Sequence, residues 1–131
     1  MTGNKYLLDT NIIAAWLKGE KSVTDKIAKA KRQIQIPVIV IGELYYGAMY
    51  STHTQKNVED IETIISNFDV LPIDVDTTIV YGEIKAALRK KGKPLPENDI
   101  WIAAIAQRYK LTIITRDKHF KEIESITVKS W

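Results

Sequence analysis

The sequence predicts an α/β fold: a three-layer α/β/α domain around a mainly parallel central sheet. Short apolar runs alternate along the chain with segments whose apolar residues recur at helical spacing. The runs are nearly continuous in apolar residues, as in strands covered on both faces. No internal repeat, low-complexity tract or Pro/Gly/Ser-rich linker interrupts the 131 residues, so residues 1–131 read as one domain.

Tyr6, Leu7 and Leu8 follow a short polar segment, Met1 to Lys5, and read as a buried strand ending at Asp9. Thr10 and Asn11 are capping residue types, and Ile12, Ile13, Trp16 and Leu17 follow at helical spacing. Ser22 to Ala30 reads as a short basic amphipathic helix with Val23, Ile27 and Ala30 inward. Ile34 to Ile36 is a second strand, closed by Pro37. Val38 to Tyr50 is long for a strand, and Ile41, Leu44, Tyr45 and Ala48 recur as on a helix, so a helix is predicted.

Lys56 to Asn67 reads as a helix with Val58, Ile61, Ile64 and Ile65 on its core face. Val70 to Ile73 is a short third strand with Pro72 at its edge. Asp76 opens a helix through Ile79, Val80, Ile84, Ala87 and Leu88, ending at Lys91-Gly92. A two-proline loop, Lys93 to Pro96, leads to Asp99 and a helix over Ile100 to Tyr109. Leu111 to Ile114 is the most strand-like run. The turn Thr115-Arg116-Asp117, a short helical turn and a last strand, Ile126 to Val128, close the chain.

Composition narrows the chemistry. A chain this long, 45% hydrophobic, buries roughly two-thirds of the surface its unfolded form exposes, so it needs no staple to fold. It has no cysteine, which excludes disulfide, zinc-thiolate and iron–sulfur sites and is compatible with a cytoplasmic location. No apolar stretch approaches about 18 residues and no signal-peptide pattern is present, so no membrane span is expected. The net charge of +3 permits a polyanionic partner without demanding one. Neither a Gly-rich phosphate loop nor a Gly-x-Ser-x-Gly elbow occurs, which removes the common nucleotide-binding and hydrolase alternatives.

In open parallel sheets, ligands bind beyond the carboxyl ends of the strands. Four acids stand at or near such transitions. Asp9 ends the first strand, Asp117 lies three residues past Ile114, Asp99 starts a helix after a proline-rich loop, and Glu43 lies early in an apolar helix after the second strand. Each has a plainer reading: Asp9 and Asp99 as helix caps, Asp117 as a turn residue, Glu43 as a solvated helix position. Taken jointly, parallel central strands would bring all four to one edge. Four carboxylates in one cleft repel unless cations neutralise them. All-oxygen ligation suits Mg²⁺ or Mn²⁺, and two such ions roughly 4 Å apart stabilise the attacking and leaving oxygens of a phosphodiester.

At these residues the chain resembles the PIN-domain family of metal-dependent ribonucleases, and within it the VapC-type toxins of VapBC toxin–antitoxin pairs. The matching segments are Leu8-Asp9-Thr10-Asn11, Gly42 to Gly47, Asn98 to Ala104 and Thr115 to Phe120, in the family's order and spacing. Singly they are unspecific; together they span nearly the whole chain. The resemblance implies that Asp9, Glu43, Asp99 and Asp117 bind one or two Mg²⁺ or Mn²⁺ ions, Asp117 being the position that varies in the family. It implies that Thr10, Asn11 and Thr115 are polar neighbours of that site. It further implies an endoribonuclease acting on RNA, a homodimer, and neutralisation by a small cognate antitoxin.

Lys85, Arg89, Lys90, Lys91 and Lys93 form one basic group, and Lys18, Lys21, Lys26, Lys29, Lys31 and Arg32 a second. They read as phosphate contacts or as solvated helix faces. Arg116 reads as a phosphate clamp or as the partner of an acid. Tyr45, Tyr46 and Trp101 read as base-stacking groups or as core and interface, and Tyr46 and Tyr50 as part of a dimer or antitoxin groove. His119 reads as structural beside Phe120, and Glu97 as an accessory carboxylate or a surface acid.

Two other functions fit the residues. One is a PIN nuclease of RNA processing or decay that has no antitoxin. The other is a non-catalytic α/β module that binds nucleic acid or protein through its basic face.

Overall fold

A computed structural model describes residues 3–131; Met1 and Thr2, the start of the polar N-terminal segment, lie outside it. Five strands form one sheet: β1 (Tyr6–Leu8), β2 (Ile34–Pro37), β3 (Asp69–Leu71), β4 (Thr112–Ile114) and β5 (Thr127–Lys129). Their order is β3-β2-β1-β4-β5 and every pairing is parallel. Six helices surround them: α1 (Thr10–Leu17), α2 (Lys21–Ala30), α3 (Val38–Tyr50), α4 (Thr54–Asn67), α5 (Val75–Lys90) and α6 (Glu97–Tyr109).

Leu7 and Leu8 are consecutive and both fully buried, as are Ile113 and Ile114. Successive strand residues point to opposite faces, so both faces of the sheet's centre are covered. β1 sits in the middle, with β2 on one side and β4 on the other. The chain therefore moves outward from β1 in one direction and later returns to its other flank. That reversal is a topological switch point, and it lies at the carboxyl ends of β1 and β4.

The elements depart from the sequence reading in informative places. Thr10 and Asn11 lie within α1, and Asp9 takes the cap that its plainer reading offered: its side chain accepts the Thr10 N–H. Asp74, not Asp76, caps α5, accepting from both the N–H and the hydroxyl of Thr77, which is fully buried. α6 begins at Glu97 behind Pro96, which places Asp99 third in the helix and excludes the capping role. β3 runs from Asp69 to Leu71 and stops before Pro72, which has no N–H to extend the ladder, and it lies at one edge of the sheet. Ile65 and Ile79, expected inward, are exposed, at 42% and 60%. Ile64 and Ile84, expected inward as well, are buried. Gly92 ends α5 at φ +67°, a conformation that costs glycine little.

Candidate active site

β1 delivers Asp9 to the switch point, and β4 delivers Thr115 beside it. Both are buried, at 5% and 2% exposure. Thr115 Oγ1 donates to Asp9 Oδ2 at 2.7 Å and accepts the Asp117 N–H at 3.0 Å. Asn11, in the first turn of α1, donates from Nδ2 to Asp9 Oδ2 at 3.3 Å and to Thr115 Oγ1 at 3.2 Å. Its Oδ1 accepts the backbone N–H of Arg116. One small network thus ties the end of β1 to the end of β4, orients the Asp9 carboxylate and anchors the backbone at Asp117.

Glu43 enters from α3. The Thr10 hydroxyl donates to its Oε1 at 3.0 Å, so the residue after Asp9 draws Glu43 toward the same edge. Asp99 enters from the first turn of α6. Burial pushes its carboxyl up to about 6, and the charges of Asp9, Asp117 and Glu43 push the same way. Burial also raises Asp9, and its own hydrogen bonds from Thr115 and Thr10 only partly offset that. Asp99 thus lies within the electrostatic reach of the other three acids.

They do not form a closed cage. Among the described residues, no three Asp, Glu or His side chains stand close enough to grip one ion as they are placed. Coulomb repulsion reaches farther than a coordination bond, and the coupling among the four is of that longer-range kind. No lysine or arginine among the described residues pairs with any of them; the only ion-pair partner is His119, whose Nδ1 lies 3.0 Å from Asp117 Oδ1. An all-oxygen, net-negative cluster without a lysine or arginine countercharge matches a hard divalent cation in chemistry and in sign.

Two residues escape the sequence reading. His119 reads as structural, but its Nδ1 lies 3.0 Å from Asp117 Oδ1. Its position two residues past Asp117, whose carboxylate caps the short 3-10 turn Lys118–Glu122, is the available signal. Glu20 pairs with Arg116 across 96 residues, and no local pattern announces such a contact. Of the two readings of Arg116, pairing with an acid is what the structure contains. Trp101 stacks on Tyr81, with centroids 3.8 Å apart and planes 9° apart. Glu97 pairs with Lys85 and the Tyr81 hydroxyl, so it stands apart from the four acids. A cavity of about 470 Å³ opens beside Thr10 and Glu43, walled by Leu17, Leu44 and Ile61.

Residues 6–126 match the family model for the PIN domain. The chain belongs to the PIN domain family. Ribonuclease VapC2 of Haemophilus influenzae is 31% identical to this PIN domain over 129 residues, 97% of this chain and 98% of that protein. The tRNA(fMet)-specific endonuclease VapC of Shigella flexneri is 30% identical over 97% of this chain and 98% of its own. Among solved structures, DNA-bound VapBC from Salmonella typhimurium superposes at a TM-score of 0.93, with 30% identity over 98% of each chain. VapBC2 from Rickettsia felis, bound to a DNA fragment from its promoter, gives 0.89 with 29% identity, covering 96% of this chain and 98% of that one. The α/β fold with a mainly parallel sheet read from the sequence is thus that of the PIN domain.

Proposed function

We propose that this PIN domain is a metal-dependent endoribonuclease, acting as one domain over residues 1–131 and serving as the toxin of a VapBC-type pair. The observation that carries the reading is the hydrogen-bonded carboxylate cluster at the switch point of the sheet, where Thr115 ties Asp9 to the Asp117 backbone, Thr10 holds Glu43, and Asp99 feels the other three, with no lysine or arginine among the described residues paired to them. The relatives named ribonuclease and endonuclease VapC support the reaction class, and the VapBC structures support a cognate antitoxin partner.

Asp9, Glu43, Asp99 and Asp117 would hold one or two Mg²⁺ or Mn²⁺ ions. Such ions, when bound, supply Lewis acidity at a phosphodiester and offset the charge on its leaving oxygen. The chain's own part is orientation. Thr115 and Asn11 leave Asp9 few rotamers, Thr10 aims Glu43, and the Thr115 hydroxyl fixes the backbone at Asp117. With the four acids set apart, nineteen basic residues face twelve acidic ones, a net of +7 on the remaining surface. Arg89, Lys90 and Lys93 lead toward α6 and have no ion-pair partner among the described residues, which suits an RNA backbone. No described helix is long and apolar enough to cross a membrane; a cytoplasmic site of action completes the reading.

The homodimer belongs to the same proposal. Tyr46, Met49 and Tyr50 expose 71%, 64% and 84% of their surfaces along one side of α3, an apolar stripe that a second protein surface would cover.

The test is RNA cleavage by the purified chain with Mg²⁺ or Mn²⁺ against EDTA, followed by addition of the product of the adjacent small reading frame. Cleavage that needs the metal and stops with the antitoxin supports the reading. Cleavage indifferent to both would overturn it.

A further inference from the structure

An arginine stands inside the loop that carries the acid cluster, between Thr115 and Asp117, yet its guanidinium is held elsewhere. The backbone N–H of Arg116 donates to Asn11 Oδ1 at 3.1 Å, and the same Asn11 side chain donates to Asp9. Its side chain turns to Glu20, just before α2. Nη1 and Nη2 donate to the two carboxylate oxygens at 3.2 and 2.6 Å, a fork-to-fork pair. Nε donates to the carbonyl of Trp131 at 3.3 Å. Arg116 in turn holds the Glu20 carboxyl below the usual carboxylate range.

Sequestration of this cation has a consequence for the cluster. Among the described residues the guanidinium of Arg116 bonds to Glu20 and to Trp131 and to none of the four acids, although its backbone lies between Thr115 and Asp117. A free guanidinium at that position would be drawn to the adjacent carboxylates. It would then compete with any divalent cation for the same oxygens, because a bidentate arginine satisfies a carboxylate well.

We propose that Glu20 is a positioning residue that keeps Arg116 out of the carboxylate cluster and so keeps the cluster open to a divalent cation. The proposal rests on the reading of that cluster as a metal site. It differs from a simple loop clamp in one respect. A clamp is damaged at least as much by losing both partners as by losing one, whereas here removal of Arg116 repairs the loss of Glu20.

Calorimetric titration with Mn²⁺ of the full chain separates the two, with thermal unfolding of each variant to confirm the fold. Glu20→Ala is expected to bind Mn²⁺ about tenfold more weakly than wild type, within the span of couplings between contacting residues. Glu20→Ala/Arg116→Ala is expected to recover the affinity of Arg116→Ala alone. Glu20→Gln, which keeps the side chain's shape, is expected to follow Glu20→Ala. Wild-type affinity in Glu20→Ala, or a double variant no tighter than Glu20→Ala, overturns the role of Glu20 while leaving the metal site standing. Wild-type protein that binds no Mn²⁺ overturns both.

Discussion

The hydroxyl of Thr115 donates to Asp9 Oδ2 at 2.7 Å, joining residues 106 apart in the chain. The bond is buried, and the same hydroxyl oxygen accepts the Asp117 N–H. One side chain therefore sets two of the four acids. Thr115→Val keeps the volume and removes the oxygen. The Asp117 N–H then loses its acceptor, which is expected to cost about 1–3 kcal/mol of stability. Urea unfolding reads this as a lower midpoint with an unchanged slope. RNA cleavage falls in the same variant, because Asp9 loses its Thr115 donor. Wild-type values for both would remove Thr115 from the site.

Asp99 links function to stability through pH. Its carboxyl is pushed up to about 6 in the folded chain, above the ordinary value of about 3.9 that an unfolded chain shows. The folded state therefore holds the proton more tightly. Stability from this group is full below about pH 4 and is lost as pH rises through about 6. Asp9 is raised too, with the same sign. Asp99→Asn removes the repelled charge. In EDTA it should melt at a higher temperature than wild type at pH 7.5, and the gap should close by pH 4.5. The same substitution abolishes cleavage. A variant that melts lower at pH 7.5 would contradict the repulsion among the four acids.

Divalent ions should stabilise the wild-type chain by mass action and leave Asp99→Asn nearly unmoved. At a free Mn²⁺ concentration 100 times the dissociation constant the gain is about 2.7 kcal/mol. A melting series in rising Mn²⁺ measures it. On the proposed reading the gain also shrinks below about pH 6, where a proton on Asp99 competes with the ion. Equal shifts in wild type and Asp99→Asn would place the ion elsewhere.

The basic group leading into α6 should set the salt dependence of RNA binding. Arg89, Lys90 and Lys93 replaced together by Gln should flatten the plot of log affinity against log salt. The slope changes by about 0.7 for each single-strand phosphate that a basic side chain no longer neutralises. Filter binding in EDTA measures it without cleavage. An unchanged slope would return these residues to the solvated helix face.

The apolar stripe on α3 gives a test of assembly. Tyr46 and Tyr50 stack on each other, with ring centroids 6.1 Å apart, and both stand in the open. Tyr50→Glu places a charge within the stripe. If a second copy covers it, sedimentation should show the dimer dissociating while far-UV circular dichroism stays unchanged. A dimer that persists would move the interface to another face.

The parallel sheet and the four acids are legible because they lie on strong local patterns. Tyr6 to Leu8 is a pure apolar run cut by an acid, and Leu111 to Ile114 is a largely apolar one followed by a turn. Helix starts are less legible. Asp99 resembles a cap because caps are commonly acids, but Pro96 fixes the backbone earlier and α6 begins at Glu97. Asp74 wins the cap of α5 over Asp76 because it reaches both polar groups of Thr77. Ile65 and Ile79 sit at helical spacings that ordinarily face a core. Nothing in the spacing marks the side where no neighbour packs. The pairing of Arg116 with Glu20 is illegible for a different reason. It depends on where the α1–α2 connection passes the end of β4, a tertiary fact with no local signature.

On the proposed reading, four carboxylates from β1, α3, α6 and the loop after β4 act as one metal-dependent centre for cutting RNA. The most direct measurement is single-turnover cleavage of a labelled RNA in Mn²⁺ by wild type and by Asp9→Asn, Glu43→Gln, Asp99→Asn and Asp117→Asn, each shown to be folded. Loss of cleavage by about 100-fold or more in Asp9→Asn, Glu43→Gln and Asp99→Asn, as for a group that stabilises the transition state directly, is the expected result. A smaller loss is expected in Asp117→Asn, the position at which the resemblance implies variation. Full activity in Asp9→Asn and Asp99→Asn would contradict the reading.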